Sequence, residues 1–326
     1  MLSRHADSAF WIGRYVERAE ATARMIDVHY HYGLESPLVG EALRWSSILA
    51  ISDAEKAYKK RYNTLDEHSI LHFFAFDPEY PNSIASCVSS ARENARSIRD
   101  TISTEMWQTV NKWYLGMRTW NVDTVLKVSP HTFFTWVKNE SHLFQGITNR
   151  TLMMGESRDF HDAGRFLERA DQAARILDVK YHDLLPSFTK QTAVGDDEPI
   201  GVGGTVDDHG WLAVLKSVGA FEAFRKTYHE GVTAGRVAEF LILNPKFPAS
   251  VRHSIGRVDG CLKRIGTGGE SGPRNRAEKE VGKLYQELNY MSAEDIINEG
   301  LHEFLDRIQK RCLLVGQAIR ECYLSY

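Results

Sequence analysis

The chain has 326 residues, a net charge of −3, 43% hydrophobic and 25% charged residues, the balance of a globular protein with room for two ordinary domains or one large one. This charge gives no electrostatic case for nucleic acid or an anionic membrane surface as a partner, and no apolar run approaches the roughly 20 residues of a membrane span. The opening MLSRHADSAFWIGR places charges where a signal peptide needs an apolar stretch. The four cysteines lack CxxC spacing and do not form a disulfide framework. A reducing, cytoplasmic location is expected.

In chain order, the first strong signal is Ile12, Tyr15, Val16, Ala19, Ala23, Ile26 and Tyr30, spaced at three and four residues on one helical face. Breaks follow at Gly33–Pro37, Asp77–Pro81 and Ser129–Pro130, then at Pro186, Asn244–Pro248 and Ile265–Pro273. Strand-like alternation is scarce, and turn signals do not recur at hairpin spacing. The expectation is an all-α bundle of about a dozen helices. Trp107, Trp113, Trp120 and Trp136 fall in helical segments and read as core or interface residues.

The first helix has a counterpart. Residues 13–31, GRYVERAEATARMIDVHYH, match residues 164–182, GRFLERADQAARILDVKYH, at eleven of nineteen positions. Several of the matches are charged, and a charge pattern does not recur merely because a core needs filling. Trp45 then pairs with Trp211, AYKKRY at 57–62 with AFRKTY at 223–228, and DPEYPNSI at 77–84 with NPKFPASV at 244–251. The offset grows from 151 to 166 between His182 and Trp211, which places an insertion in the Gly- and Asp-rich stretch there. The chain is therefore expected to be internally duplicated, with a first helical repeat at 1–156 and a second at 157–326, packed as one compact unit.

On a helix, Gly13, Glu17, Glu20, Arg24, Asp27 and His31 form a line beside the apolar face, as do Gly164, Glu168, Asp171, Arg175, Asp178 and His182. Arg14 and Arg18, and in the second copy Arg165 and Arg169, lie on the other flank. Glu17 and Arg18 are sequence neighbours and cannot face each other, so each needs a partner elsewhere. Exposed pairs such as Glu20 with Arg24 contribute only ~0.2–0.5 kcal/mol, too little to account for the whole pattern. The favoured reading is a partly buried ion-pair network joining the two halves. A ligand or catalytic site built from the same residues is the alternative, and the two overlap because a polar seam is also where a pocket forms.

Arg92, Arg96 and Arg99 form a stripe in the first half alone. They are expected to neutralise the acidic line; a carboxylate- or phosphate-binding patch is the second reading. Asp27 with His31, and Asp178 with His182, have acceptable metal-ligand spacing, but no Glu-x-x-His pair accompanies them. No metal and no cofactor are expected. The Gly-rich segments at 201–204 and 266–272 lack phosphate-loop context and read as inter-helix loops, and no nucleophile motif stands out.

The opening LSR…WIGRYVERAE, then PNSI…ARENARSIRD and EMWQTVN, and later GRFLERADQAARILDVKYHDLLP, together resemble the bacterial alpha-E family, an all-helical group named for a Glu-Arg motif. The matching residues are Glu17-Arg18 and Glu168-Arg169. Members of that family are typically encoded beside a circularly permuted ATP-grasp ligase, and often beside a transglutaminase-like protease homologue. The resemblance therefore implies an accessory or substrate-binding role in a system that makes or modifies a peptide or amide bond. Its partners would be the ligase, a transglutaminase-like protein or a peptide substrate. One alternative is an enzyme with Glu17 or Glu168 as acid/base and Arg18, Arg24 or Arg175 holding a carboxylate, which requires burial to raise the glutamate pKa. The other is a scaffold or dimerisation module.

Overall fold

The computed structural model describes residues 1–35, 41–184, 205–229, 231–265 and 272–324. The first half holds α1 (Ser3–Glu35), α2 (Glu41–Ile51), α3 (Glu55–Lys59), α4 (Glu67–Leu71), α5 (Ile84–Ser97), α6 (Thr104–Met117), α7 (Val122–Val128) and α8 (Pro130–Thr151). The second holds α9 (Glu156–Leu184), α10 (Thr205–Ser217), α11 (Phe221–Thr227), α12 (Ala234–Leu243), α13 (Val251–Ile265), α14 (Arg276–Tyr290), α15 (Ala293–Glu299) and α16 (Leu301–Ile319). Two short π-helical turns, His72–Phe76 and Arg320–Leu324, extend α4 and α16. No strand occurs among the described residues, so the all-α expectation holds. The sixteen helices among the described residues exceed a dozen because those of five to seven residues (α3, α4, α7, α11 and α15) are too short to show a periodic face.

The punctuation read from the sequence falls where the helices end. Pro130 opens α8 at its first turn, where the missing N–H costs nothing. Ser83 caps α5, accepting from the Ser86 N–H at 3.1 Å and donating to the Asp77 carbonyl at 2.8 Å. Ser250 does the same before α13, with the His253 N–H at 3.1 Å and the Asn244 carbonyl at 2.5 Å. Both serines are fully buried. Pro37, Pro186, residues 185–204 of the inserted stretch with its Gly-rich segment, and the Gly-rich residues 266–271 lie outside the described residues, while the end of the inserted stretch, from Thr205, belongs to α10.

The centre of the molecule is the pairing of α1 with α9. They run parallel: Gly13 packs on the backbone of His161 and Arg165, and Gly164 on the backbone of Phe10. Each glycine lets its helix touch the main chain of the other, and a methyl group at either would collide with the facing carbonyl oxygen. Further along, Ala19, Ala23, Ala170 and Ala174 are fully buried. Around this pair, α5 and α8 pack on α1, while α13 and α16 pack on α9. The helices α2 and α10 each touch both members of the pair, so that α2 reaches α9 and α10 reaches α1. The buried apolar side chains of both halves form one contiguous core. Trp113 is completely buried, and Trp107, Trp120 and Trp136 pack partly buried against that core.

Because the facing atoms are backbone, the helices must separate to admit a side chain. Gly13→Ala and Gly164→Ala are each expected to destabilise by about 3 kcal/mol, the upper end for overpacking. Gly146→Ala, at an exposed position of α8 where nothing lies within 4 Å of the added carbon, should instead stabilise by about 0.5–1 kcal/mol. Urea denaturation of the three variants checks this.

Candidate functional site

Parallel pairing turns the two Glu-Arg dipeptides into an exchange. Glu168 on α9 receives both arginines of α1: Arg14 Nε at 2.8 Å, and Arg18 through Nε at 2.7 Å and Nη2 at 2.8 Å. Glu17 on α1 receives Arg169 of α9, with Nε at 2.5 Å and Nη2 at 2.8 Å, and Arg165 at 3.5 Å. Both carboxylates are buried, at 5% and 1% exposure for Glu17 and Glu168. Arg18 also donates to Asn82 Oδ1 at 2.6 Å, and Arg169 reaches the Pro248 carbonyl at 3.5 Å. The seam is thereby tied to the turns that precede α5 and α13. This is the buried network expected from the charge line.

The exchange is not perfectly even. Gln172 adds a hydrogen bond to Glu168 at 3.1 Å, whereas the corresponding residue beside Glu17 is Ala21. Arg14 donates through Nε, but Arg165 Nε is buried without a hydrogen-bond partner. Burial and the adjacent Arg169 charge push the Arg165 guanidinium pKa down, more than Glu17 and Asp162 restore it.

The rest of the line continues on both helices. Arg24 pairs with Glu20, and Arg175 with Asp171 at 2.8 Å. Asp27 takes His131 Nδ1 at 2.9 Å and Lys138 Nζ at 2.6 Å. Asp178 takes His302 Nδ1 at 2.7 Å and Gln309 Nε2 at 3.0 Å. These four partners, on α8 and α16, were not singled out from the sequence. The only signal for them is the weak match of HTFF at 131–134 to HEFL at 302–305. Asp27, His31 and His131 bring their ligand atoms within 4.8 Å of one another, a spacing a divalent ion could use, although Lys138 already binds the second Asp27 oxygen. The His182 side chain lies outside the described residues.

Arg92, Arg96 and Arg99 do not join the seam, which corrects the expectation that they neutralise the acidic line. Arg92 bonds Asn111 at 2.8 Å and Glu93, and stacks over Tyr114 and Trp107. Arg96 pairs with Glu93, and Arg99 lies over Trp107. Arg92 and Arg96 sit on the outer face of α5 towards α6 and Arg99 in the turn that follows it, whereas the glutamates already hold arginines from the opposite central helix.

The charge state of the glutamates follows from these partners. Burial alone would raise the Glu168 pKa, but Arg18, Arg14 and Gln172 hold it well below the usual carboxylate range. For Glu20, the His142 hydrogen bond and Arg24 likewise outweigh burial and hold it at about 2. The acid/base reading needed the opposite shift for Glu168. Burial also pushes the Cys87 and Cys261 thiols up to about 12, away from thiolate chemistry.

Two clefts flank the seam. One, of about 540 Å³, lies towards α8 and α10; it is lined by Arg24, Arg165 and Arg169 with Glu17 and Glu20. The other, of about 270 Å³, lies towards α16 and α2; it is lined by Arg14, Arg18 and Arg175 with Glu168, Asp171 and Asp53. The profile of the Alpha-E family, described as a predicted alpha-helical domain with a conserved ER motif, matches residues 1–324. The chain belongs to the Alpha-E family. In this member the Glu-Arg dipeptides are Glu17-Arg18 and Glu168-Arg169, and they are the residues that exchange partners across the seam. No curated protein and no solved structure matches the chain. Among the described residues, no helix is long and apolar enough to cross a membrane.

Replacing Glu168 by Gln leaves Arg14 and Arg18 without their counter-charge and is expected to cost about 3–5 kcal/mol at neutral pH. A carboxyl held below its unfolded value contributes stability that is complete above that value and is lost as pH falls. With the unfolded Glu near 4.5 and Glu20 near 2, the wild-type chain should weaken progressively between about pH 4.5 and 2. The gap to Glu168→Gln should narrow over the same range. Urea midpoints from pH 7 to 2.5 measure both, and an unchanged midpoint for Glu168→Gln at pH 7 would contradict the buried-pair account.

Proposed function

We propose that this protein is a non-catalytic, cytoplasmic binding component of an amide-bond ligase system of the ATP-grasp kind. The clefts beside the α1–α9 seam hold a peptide substrate or a segment of the ligase. A transglutaminase-like protein is a further partner consistent with the same system. The observation that carries the non-catalytic part is the state of Glu168: it is locked by Arg14, Arg18 and Gln172 and held ionised well below neutral pH. A carboxylate so held is a poor proton acceptor and has no proton to donate at neutral pH. It is well suited to fixing arginines at the mouth of a cleft. The ligase partner is carried by the family resemblance of the Glu-Arg segments. The cleft chemistry, rich in guanidinium and carboxylate, supports a peptide-like ligand.

Co-expression with an ATP-grasp ligase of the kind typically encoded beside members of the family tests this reading. The chain is expected to co-elute with the ligase on size exclusion in the presence of ATP and peptide, and to increase the amount of ligated product seen by mass spectrometry. The purified chain alone should leave the peptide mass unchanged. Modification of the peptide by the chain alone would overturn the non-catalytic assignment; failure to co-elute under every condition would overturn the partnership.

A further inference from the structure

The two clefts are built from corresponding residues, yet they differ in charge. Three arginines face three carboxylates in the α16-side cleft but two in the α8-side cleft. The missing carboxylate can be located. Asp53 and Gly219 occupy matching places, eight residues after Trp45 and Trp211. Each ends its helix in a left-handed turn, with φ 48° at Asp53 and 65° at Gly219. The turn bonds also correspond, Ala54 N–H to Leu49 O at 2.8 Å and Ala220 N–H to Leu215 O at 2.7 Å.

Because α2 crosses to α9 and α10 to α1, these turns meet the matching arginines. Asp53 lines the α16-side cleft together with Arg175, whose guanidinium is kept charged against burial mainly by Asp171, with Asp53 adding to it. Gly219 lies against Arg24, with a Cβ there falling 3.3 Å from Nη1. Arg24 has Glu20 as its ion-pair partner, bonded through Nε and Nη2; Nη1 faces the glycine.

A second, independent observation points to the same cleft. Gln145 lines it and is 7% exposed, yet neither its amide nitrogen nor its amide oxygen has a hydrogen-bond partner. Leaving such buried groups unpaired is costly, because each has given up its water without gaining a partner. Arg165 Nε, in the same wall, makes no hydrogen bond and has only the Glu17 carboxylate at 3.5 Å. The cleft thus offers one uncompensated positive charge, a guanidinium edge, and a donor and an acceptor suited to an amide.

We propose that the α8-side cleft binds the carboxylate of a peptide or amino acid against Arg24, in the place that the Asp53 carboxylate occupies in the other cleft. Gln145 and Arg165 meet the adjoining amide. Asp53 is then a built-in copy of the ligand, which leaves the α16-side cleft closed to carboxylates. This inference rests on reading the protein as a binding component.

The test is a titration of the purified chain with N-acetyl-alanyl-alanine and with its C-terminal amide, followed by protein-observed NMR. One equivalent of the free acid should bind, about tenfold tighter than the amide, since a charge-assisted pair is lost with the carboxylate. Gly219→Asp supplies the carboxylate from the chain and should weaken binding about tenfold or more. Gly219→Asn, equally tolerant of the left-handed turn but neutral, should stay within about threefold of wild type, separating charge from bulk. Asp53→Gly should raise the stoichiometry from one to two. The proposal is overturned if wild type binds neither probe, if acid and amide bind equally, or if Gly219→Asp behaves as wild type. Equal loss in the Asp and Asn variants, or unchanged stoichiometry in Asp53→Gly, would also overturn it. The titration uses the chain without its ligase, so its failure leaves co-elution standing, and loss of co-elution leaves the titration standing.

Discussion

A buried carboxylate must be met by a charge or a set of donors, and here that requirement is satisfied across helices instead of within them. In each Glu-Arg dipeptide the two side chains diverge, so neither can serve the other. Placing α1 parallel to α9 lets Glu17 take Arg169 while Glu168 takes Arg18. The arrangement works at one register only. Sliding either helix by a residue would swing the arginines off the interface and bring Cβ atoms where Gly13 and Gly164 now allow backbone contact. The ion pairs therefore act with the glycines to specify how the helices sit, the best-attested role of buried charge in a core.

Everything that positions the clefts follows from that register. The Ser-capped turns before α5 and α13 are tied to the seam through Asn82 and Pro248, and the crossing helices α2 and α10 bring their end turns onto Arg175 and Arg24. Corresponding walls make small differences chemically legible. Gln172 against Ala21 and Asp53 against Gly219 are single exchanges. Each changes hydrogen bonding or charge in a place the fold keeps otherwise alike.

The helical class, the breaks at proline, the charge line and its burial were legible because they depend on local spacing: 3.6-residue periodicity, caps, and neighbours four apart. The exchange itself was legible only in part. That Glu17 and Arg18 need distant partners follows from their adjacency, but which partners depends on the parallel packing, which no local pattern encodes. Arg92 shows the limit from the other side. Its stripe looked like a counter-charge for the seam, yet its helix face turns towards α6, where Asn111 and Tyr114 hold it. His131, Lys138, His302 and Gln309 were invisible because the sequence similarity around them is slight, while their common feature is a geometric one, meeting Asp27 or Asp178 from the first half of α8 or α16.

The long separation between α1 and α9 in the chain has a consequence for how the molecule is made. Glu17 meets Arg169 at a sequence distance of 152 residues, so the central contact of the core closes one of the longest loops available to it. At about 5–20 residues per second of synthesis, α1 leaves the ribosome roughly ten to thirty seconds before its partner exists. During that interval its carboxylates are met by water and its alanine and glycine face has nothing to pack on. The local helices α5 and α8 can gather around it, but the seam waits for the second half. Assembly is thus non-local, slow by contact order, and completed late in synthesis, when the last guanidinium reaches its glutamate.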